Sequence, residues 1–542
     1  MKLNKPISIK SFLGYFFLFF ITFLFFLAIQ TAGKTLNCPD SFYHAKMVSF
    51  LSQGKIIKNF VWLPYTILGE NYIDHHFLYH ILVIPFSLIF SPLFGIKMAT
   101  LFFATLAIII FYWFLKKFKI KIPLVWTLLL FTSSTFLTRL NLAKVPATAL
   151  IVLIFGLYAL FKRKHFLLGL ISFIYVWLYN TWPILYVTVI LYCLSYAFKK
   201  IINHWNSFKD WKLKIKNFLK YLFEKENLKI FFSSFFGIVL GLIINPYFPK
   251  NLYFDWVHII KIGLKNYQNI LSVGAEWHPY DPLDLIFGNL FIFIPWLISI
   301  GWFFVSFKKS SLPFSGQRTK TLTLFIISSL FFIYTIKSRR NIEYFVPLAI
   351  LFTSFSFNHL FSNFSWHTYL NEFKKMKEFP FNLISLILIC LFSTFFIFSG
   401  LFLYERVWLG KIKEFSGGLS FDKFKKLSLF LKENTQEGEI IFHSSWDEFP
   451  MLFYHNDKNY YIAGLDPTFF YEKSKPLYWL WFNIITGKQK KNLAKTIKEN
   501  FKARYIFVRS DHKMMNKNFE EDKDFEKIYE DDDGYLYKLK EK

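Results

Sequence analysis

The sequence of 542 residues is poor in cysteine, glycine, proline and acidic side chains. Its three cysteines, at positions 38, 193 and 390, are far apart and odd in number, so they predict neither a disulfide framework nor a thiolate zinc site. With only 22 glycines and 19 prolines, collagen-like repeats and low-complexity disorder are excluded. Hydrophobic residues make up 54% of the chain and phenylalanine alone occurs 74 times, which is more than a soluble fold needs. The composition therefore indicates a polytopic membrane protein.

Positive charge exceeds negative charge, with 64 lysines and arginines against 36 aspartates and glutamates and a net charge of +28. The two signs nearly balance in residues 404–542, so the excess lies in residues 1–403. There it is concentrated in short runs between apolar segments, at 116–121, 162–164, 199–229 and 374–377. This distribution is typical of the cytoplasmic loops of a membrane protein and argues against nucleic-acid binding.

The first apolar run, residues 11–30, follows a basic start and is long enough to cross a bilayer. We expect an uncleaved anchor with a cytoplasmic N-terminus, so that residues 31–76 are outside. Further apolar runs lie at 77–95, 97–115, 123–138, 146–161, 166–180, 182–198, 230–245, 284–306, 321–336, 342–358 and 381–403.

The basic runs limit which of these segments cross. All four runs fall in the cytoplasm together only if one of the segments 77–95 and 97–115 does not cross. The segment 77–95 contains Pro85 and Pro92, so we expect it to form a helix along the outer interface. About eleven spans remain, and the last one ends outside.

We therefore predict a mainly α fold, in which a polytopic transmembrane helix bundle (residues 1–403) is followed by an extracytoplasmic α/β domain (residues 404–542). In the second domain, 421–434 and 488–501 have helical periodicity, while 439–442 and 505–508 indicate short strands. This domain shares the outer face with residues 31–76. The expected location is the plasma membrane.

Few carboxylates occur in residues 1–403, and those predicted to lie outside are candidates for acid–base chemistry. Asp40 comes directly after the first span, in the segment NCPDSFYHAK that also contains Tyr43 and His44. The alternative role of Asp40 is to cap a helix along the membrane surface that begins there.

A second polar cluster consists of Asp74, His75 and His76. His76 and His80 are four residues apart and share one helical face. That spacing suits a metal ion, or two interfacial side chains that reach toward water.

The outer loop 246–283 contains Glu276, flanked by Trp277 and His278. Aromatic rings stack on sugars, and the polar groups beside them bind hydroxyls, so this segment is a candidate acceptor or sugar site. The alternative is a connector fixed by proline, with a solvated glutamate.

Cations also occur where the positive-inside rule disfavours them. Arg339 and Arg340 lie at the outer end of a predicted span, and Arg139 and Lys144 lie on the same face. Guanidinium groups bind phosphate well, so these residues are candidates for the phosphate of a lipid carrier. Simple anchoring at the interface is the alternative.

At these residues the sequence resembles the membrane glycosyltransferases of the GT-C class, which take sugars from polyprenyl-phosphate or polyprenyl-diphosphate carriers. The segment PDSFYH is similar to the acidic first-loop motif of that class and places its aspartate at Asp40. SVGAEWHP resembles the S-V-x-E-x-x-P loop of the oligosaccharyltransferase catalytic subunit, with Glu276 as its glutamate. SRRNIEYFVP resembles the late arginine motif that holds the carrier phosphate. SSWDEF is similar to the W-W-D acceptor motif at Ser445, Trp446 and Asp447.

The chain also departs from that class. Ser445 stands where the motif has its first tryptophan, and Arg139 and Lys144 stand where the second loop has a carboxylate. Metal dependence therefore stays open: a divalent cation such as Mg²⁺ or Mn²⁺ would use Asp40 and Glu276. The surface helix expected after Asp74 is more similar to the branch that uses monophosphate carriers, which is generally metal-independent.

The resemblance implies a glycosyltransferase that moves a sugar, with inversion, from a polyprenyl-(di)phosphate to a hydroxyl or amide at the outer face. The acceptor is a glycan, a lipid or a protein. In this hypothesis Asp40 is the general base, Glu276 positions the acceptor or a cation, and Arg339 or Arg340 neutralises the phosphate. The alternative is a flippase or transporter of a lipid carrier in cell-envelope glycan synthesis. Polar groups clustered in outer loops, rather than within spans, favour the enzyme.

Overall fold

The computed structural model of the protein describes residues 9–203, 210–308, 317–358 and 399–540. These residues form a mainly helical structure with a five-stranded sheet near the C-terminus. The α-helices of the first three ranges are α1 (Ile9–Gln30), α2 (Asp40–Ser52), α3 (Leu68–Asn71), α4 (Phe77–Ile89), α5 (Pro92–Lys117), α6 (Pro123–Leu128), α7 (Ser134–Asn141), α8 (Pro146–Phe161), α9 (His165–Leu178), α10 (Pro183–Asn203), α11 (Trp211–Leu222), α12 (Lys225–Ile243), α13 (Lys250–Trp256), α14 (Pro282–Phe287), α15 (Leu290–Lys308), α16 (Gln317–Lys337) and α17 (Ile342–Phe357).

Five helices in the described ranges are long and apolar enough to cross a membrane, namely α1, α5, α10, α12 and α16. Taken as one span, α7 and α8 add a sixth, although they are bent by 105° where they meet. Shorter apolar helices, such as α4, α9 and α15, accompany them. The structure therefore supports a membrane protein, while the number of about eleven spans stays a prediction. Most of the predicted span 381–403 lies outside the described residues.

Three segments expected to be continuous helices are interrupted, which corrects the prediction. In the segment 284–306, α14 ends at Phe287 and α15 begins at Leu290. In the segment 77–95, α4 ends at Ile89 and α5 begins at Pro92. Ser91 has the extended ψ of 151° because helical backbone is disfavoured directly before a proline. The segment 123–138 is divided into α6, a 3₁₀ turn and α7, and the Ser133 hydroxyl caps α7 by accepting a hydrogen bond from the Phe136 N–H.

The C-terminal residues combine helices with a mixed sheet. Their helices are α18 (Gly410–Ser416), α19 (Lys425–Asn434), α20 (Phe449–His455), α21 (Pro467–Lys473), α22 (Lys475–Ile485), α23 (Leu493–Phe501) and α24 (Lys513–Glu521), and their strands are β2 (Leu419–Ser420), β3 (Ile440–His443), β4 (Tyr460–Tyr461), β5 (Tyr505–Arg509), β6 (Phe525–Asp531) and β7 (Gly534–Leu539). The strand order in the sheet is β4-β3-β5-β7-β6; β3 is parallel to β4 and β5, whereas β7 is antiparallel to β5 and β6. The predicted strands correspond to β3 and β5. The predicted helix 421–434 begins at Lys425, because Phe424 adopts a left-handed φ of 59°.

Residues 31–76 connect the helix bundle to the C-terminal region. Thr35 and Leu36 form β1, which pairs antiparallel with β2. The Trp62 indole N–H donates to the carbonyl of Asp457 at 2.7 Å, and the Tyr461 N–H donates to the carbonyl of Trp62 at 2.8 Å. Eight residues of α2 are buried between the two parts, so α2 is not the surface helix that the sequence suggests. Its buried face fixes the position of Asp40 at its N-terminal end.

Candidate functional site

A cavity of about 690 Å³ lies where the helix bundle meets the C-terminal region. Its lining comes from the start of α2, from α7 and the break after it, from the loop 272–280, from the turn before α17, and from two C-terminal loops. The residues predicted from the sequence that line it are Asp40, Arg139, Lys144, Glu276, Trp277, Arg339, Arg340, Trp446 and Asp447. Four motifs that are far apart in the sequence therefore meet in one place.

Asp40 pairs with Lys144 in this cavity, with 2.6 Å between Oδ2 and Nζ. Asp40 is the first residue of α2, the N-cap position belongs to Pro39, and no side chain caps this helix. Asp40 therefore does not cap α2, and the alternative role considered for it is wrong. Lys144 lies in the break between α7 and α8, where Pro146 starts the next helix. The pair links the segment after α1 to that break.

Glu276 lies on a 3₁₀ turn (Ala275–Trp277) and pairs with two arginines. Its Oε2 is 2.5 Å from Nη1 of Arg139, and its Oε1 is 3.1 Å from Nη1 of Arg340. Arg139 also pairs with Glu343 at 2.8 Å. Burial raises the pKa of Glu276, but the charges of Lys144 and Arg139 outweigh burial and lower it to about 2. Glu276 is therefore ionised at neutral pH and orients the guanidinium groups.

The two arginines before α17 have different surroundings. The Arg340 guanidinium lies over the Trp277 ring, 4.7 Å from its centre, and pairs with Glu276. Nε of Arg339 donates to the carbonyl of Pro279 at 2.9 Å, and its backbone N–H donates to the carbonyl of His278 at 3.0 Å. Among the described residues, Arg339 has no carboxylate partner, so its charge is available to a ligand.

The C-terminal loops close the cavity on its other side. The Trp446 indole N–H donates to the carbonyl of Ser272 at 2.8 Å, which joins the SSWDEF segment to the Glu276 loop. Both oxygens of Asp447 accept from Nη1 of Arg509, at 3.2 and 3.3 Å. Ser445 and Glu448 form a capping box that fixes this turn. Trp446 and Asp447 are thus held in place at the wall.

The polar side chains that line the cavity and were not predicted from the sequence include Cys38, Lys411 and Asp466. Lys411 donates to the carboxylate of Glu414 and to the hydroxyl of Thr138. Asp466 is the N-cap of α21 and accepts a hydrogen bond from the Thr468 N–H at 2.8 Å. The sequence Leu-Asp-Pro at 465–467 signals a helix start, and nothing in it distinguishes a cavity residue from an ordinary cap.

A second, mostly apolar cavity of about 370 Å³ adjoins the first. It lies between α10, α16 and the π-helix Val257–Lys265. Trp277 and Arg340 line both cavities. An apolar space therefore opens beside the charged one at a shared arginine.

The remaining predicted residues do not line the polar cavity. Tyr43, His44, Asp74, His75, His76 and His278 are absent from its walls. Nδ1 of His80 is 2.7 Å from Oδ2 of Asp74, and Nε2 of His80 is 2.8 Å from Nδ1 of His44. His80 is fully buried and His76 nearly so, which contradicts the interpretation of side chains reaching toward water. Burial lowers the pKa of His44 and His76 well below the usual value, so both rings are neutral.

The residues of the polar cavity do not fit a divalent metal ion. Asp40 and Glu276, the predicted ligands, already pair with Lys144, Arg139 and Arg340. A hard cation needs several free oxygen ligands. Within the described ranges, no group of three or more His, Cys, Asp or Glu side chains is arranged to hold a metal.

The fold is similar to solved structures of membrane enzymes. The oligosaccharyltransferase of Archaeoglobus fulgidus in the apo form aligns with 91% of this chain and 69% of that chain, at 11% sequence identity and a TM-score of 0.59. The archaeal oligosaccharyltransferase AglB of the same organism, in complex with an inhibitory peptide and a dolichol-phosphate, aligns with 93% of this chain and 70% of that chain, at 11% identity and a TM-score of 0.61. ArnT from Cupriavidus metallidurans covers 97% of this chain and 98% of its own, at 11% identity and a TM-score of 0.49. No family model matches the chain, and no curated protein matches it in sequence. The structural likeness shows the GT-C fold that the sequence resemblance predicts.

Proposed function

We propose that the protein is an integral membrane glycosyltransferase that moves a sugar from a polyprenyl-(di)phosphate carrier to an acceptor hydroxyl or amide at the outer face of the membrane. The observation that carries this proposal is the contact between the two cavities. The polar cavity contains several cations, the adjoining cavity is apolar, and Arg340 and Trp277 belong to both. A lipid-linked phosphate needs this combination, since its head group is anionic and its tail is apolar.

The cations suit the phosphate of the donor. Arg339 has no carboxylate partner among the described residues, and its guanidinium can form two parallel hydrogen bonds to phosphate oxygens. Arg340 lies at the entrance to the apolar cavity, and Lys144 lies beside Asp40. A hydrogen bond to a charged group contributes about 1.5–3 kcal/mol to the free energy of binding. The donor's phosphate would therefore lie between Arg339, Arg340 and Lys144.

Transfer requires a base for the acceptor and stabilisation of the departing phosphate. The acceptor hydroxyl or amide gives its proton to a carboxylate, and its freed electron pair attacks the anomeric carbon. The bond between that carbon and the phosphate oxygen breaks, and its electron pair leaves with the carrier phosphate. Attack from the opposite side inverts the configuration. The sequence predicts Asp40 as the base, and Glu276 would then orient the arginines and the acceptor.

The acceptor would enter along the C-terminal wall, where Trp446 and Asp447 line the cavity. AglB was solved with an inhibitory peptide and a dolichol-phosphate. A shared fold with that protein is compatible with a lipid-linked donor and with a protein as one class of acceptor. Because no metal fits the carboxylates, the proposed reaction uses only the side chains of this chain.

A membrane assay tests the proposal. Purified protein in liposomes is supplied with a panel of polyprenyl-linked sugars and a mixture of glycan, lipid and peptide acceptors. We expect net sugar transfer with at least one donor. The variant Arg339→Ala should reduce the rate by about ten- to a hundredfold, the cost of one charge-assisted contact. Arg339→Ala removes no ion pair among the described residues, and one structural contact that it loses is the hydrogen bond from Nε to the carbonyl of Pro279, so the melting temperature of the variant should be measured beside its rate.

The matched control is Arg406→Ala, which removes an exposed arginine that does not line the cavity. It should keep the full rate. Movement of the carrier across the bilayer without sugar transfer would instead support a flippase. Neither activity, or equal rates for the two arginine variants, would contradict the proposal.

A further inference from the structure

Four carboxylates line the polar cavity, and their partners differ. Three of them pair with lysine or arginine. Among the described residues, Asp466 is the one lining carboxylate without a cationic partner. The pairs of the other three are Asp40 with Lys144, Glu276 with Arg139 and Arg340, and Asp447 with Arg509.

Asp466 is held by neutral donors only. Its Oδ1 accepts the N–H of Thr468 at 2.8 Å, and the Thr468 hydroxyl is its other neighbour. The residue is only 8% exposed. A carboxylate in this position is desolvated, fixed in direction and not neutralised, so it keeps its capacity to accept a proton.

The backbone before Asp466 is also constrained. Leu465 has a left-handed φ of 67°, which is unfavourable for a residue with a Cβ atom. The Asp466 N–H donates to the carbonyl of Gly464 at 2.8 Å. A Cβ atom on Gly464 would lie 2.5 Å from the Phe449 ring, so this segment fits closely against α20. This backbone and the N-cap bond fix the position of Asp466 in the cavity wall.

We propose that Asp466 is the general base of the proposed glycosyl transfer, a role that rests on that function and replaces the one the sequence predicts for Asp40. The Asp466 carboxylate accepts the proton of the acceptor hydroxyl or amide. The acceptor's electron pair forms the new bond to the anomeric carbon, and the bond to the carrier phosphate breaks. The leaving phosphate takes that electron pair and is neutralised by the cavity cations.

The electrostatics of the site agree with this division of roles. Burial raises the pKa of Asp466 to about 6, and the negative charges of Asp40 and Glu276 add to the effect. A general base is most efficient when its pKa lies near the working pH. Asp40 is engaged by Lys144, so it positions that ammonium for the phosphate. Tyr478 also lies close to Asp466, and burial raises the pKa of its phenol to about 12.

The test is Asp466→Asn in the full-length protein in liposomes. Asparagine is as good an N-cap as aspartate, so the substitution removes the base and keeps the helix start. With saturating donor and acceptor, we expect the transfer rate to fall by a hundredfold or more, the usual contribution of general base catalysis. Binding of farnesyl phosphate, a short carrier phosphate, should be unchanged. Asp466→Ser, which also supplies a capping oxygen, should show the same loss.

Two comparisons make the result specific. The control Asp210→Asn makes the same chemical change at the N-cap of α11, away from the cavity lining, and should keep the full rate. The pH profile is the second readout. The wild-type rate should fall as the pH is lowered through about 6, where Asp466 takes up a proton, and this fall should be absent in Asp466→Asn.

Three outcomes would overturn the assignment. An Asp466→Asn rate within threefold of the wild type would do so directly, and the proposed function would survive. Loss of farnesyl phosphate binding in that variant would indicate a structural role. A wild-type protein that transfers no sugar from any donor would overturn the proposed function, and the base assignment with it.

Discussion

The ion pair between Lys144 and Asp40 gives the sharpest quantitative prediction from the cavity. Nζ and Oδ2 are 2.6 Å apart, and the side chains are 11% and 27% exposed. In the proposed reaction Asp40 positions the Lys144 ammonium, which stabilises the departing phosphate. The variant Lys144→Ala should therefore lose activity far beyond its loss of stability.

The magnitude follows from the burial of the pair. Removing one partner of a fully buried pair costs about 3–5 kcal/mol, and partial exposure of Asp40 reduces this to about 2 kcal/mol of unfolding free energy. The missing contact to phosphate should cost a further 1.5–3 kcal/mol or so in the transition state. That corresponds to a rate about ten- to a hundredfold lower. In the double variant with Asp40→Asn, the stability losses should not add, with a coupling of about 1–2 kcal/mol.

A second pair in the same helix provides the control. Lys46, also in α2, is 3.0 Å from Asp457 of the C-terminal region, and the two side chains are 15% and 32% exposed. Neither residue lines the polar cavity. Lys46→Ala should lower the melting temperature by about as much as Lys144→Ala, because the two pairs are similarly buried. Its transfer rate at saturating donor should stay near the wild-type value.

The assay measures melting temperature in detergent and single-turnover sugar transfer for the four single and double variants. If Lys144→Ala lost no more activity than Lys46→Ala, Lys144 would be a structural residue and the phosphate site would need other cations. Full activity of Lys144→Ala would refute the reasoning outright.

Two further predictions concern metal and acid. Treatment with EDTA should leave the transfer rate unchanged within twofold, because the carboxylates that would bind a metal are paired with cations. Added Mg²⁺ or Mn²⁺ should not raise the rate. A tenfold loss of rate on chelation would contradict this prediction. His76 is buried, and burial holds its pKa well below the usual value. Below a pH of about 6.5 the unfolded chain therefore binds a proton at His76 that the folded chain does not bind. The stability of the folded chain is retained above that pH and is lost as the pH falls below it. The variant His76→Phe keeps the ring contact with Tyr179. Between pH 7.5 and pH 5, its melting temperature should fall by less than that of the wild type. An equal fall in the two proteins would contradict the neutral state assigned to His76.

The sequence predicts the class of fold because membrane helices leave a strong signal. The runs that became α1, α8, α9 and α10 are close to their predicted bounds, since an apolar run of that length has few alternatives. The predicted bounds of the segment 77–95 were wrong because Pro92 begins a new helix within it. The strands β6 and β7 are absent from the prediction, and in β6 a β-bulge between Lys527 and Tyr529 interrupts the alternation that would indicate a strand.

The candidate site was predictable in part for a different reason. Asp40, Glu276 and Arg339 stand out because ionisable residues are scarce in an apolar chain, and cations on the outer side require an explanation. Their pairing could not be predicted, because it depends on which loops fold against each other. The sequence suggests acid–base chemistry at Asp40, whereas in the structure the Lys144 ammonium group pairs with Oδ2 of Asp40.

The cavity can be understood from the charges that remain after pairing. Most of its ionisable side chains form ion pairs with each other, and these pairs fix the geometry of the site. Among the described lining residues, Arg339 is the cation and Asp466 the carboxylate that lack an oppositely charged partner. Lipid-linked glycosyl transfer has two matching requirements, since an anionic phosphate must be held and one acceptor proton must be removed. In the proposed reaction Arg339 would hold the phosphate and Asp466 would take the proton, and only the folded structure identifies these two residues as unpaired.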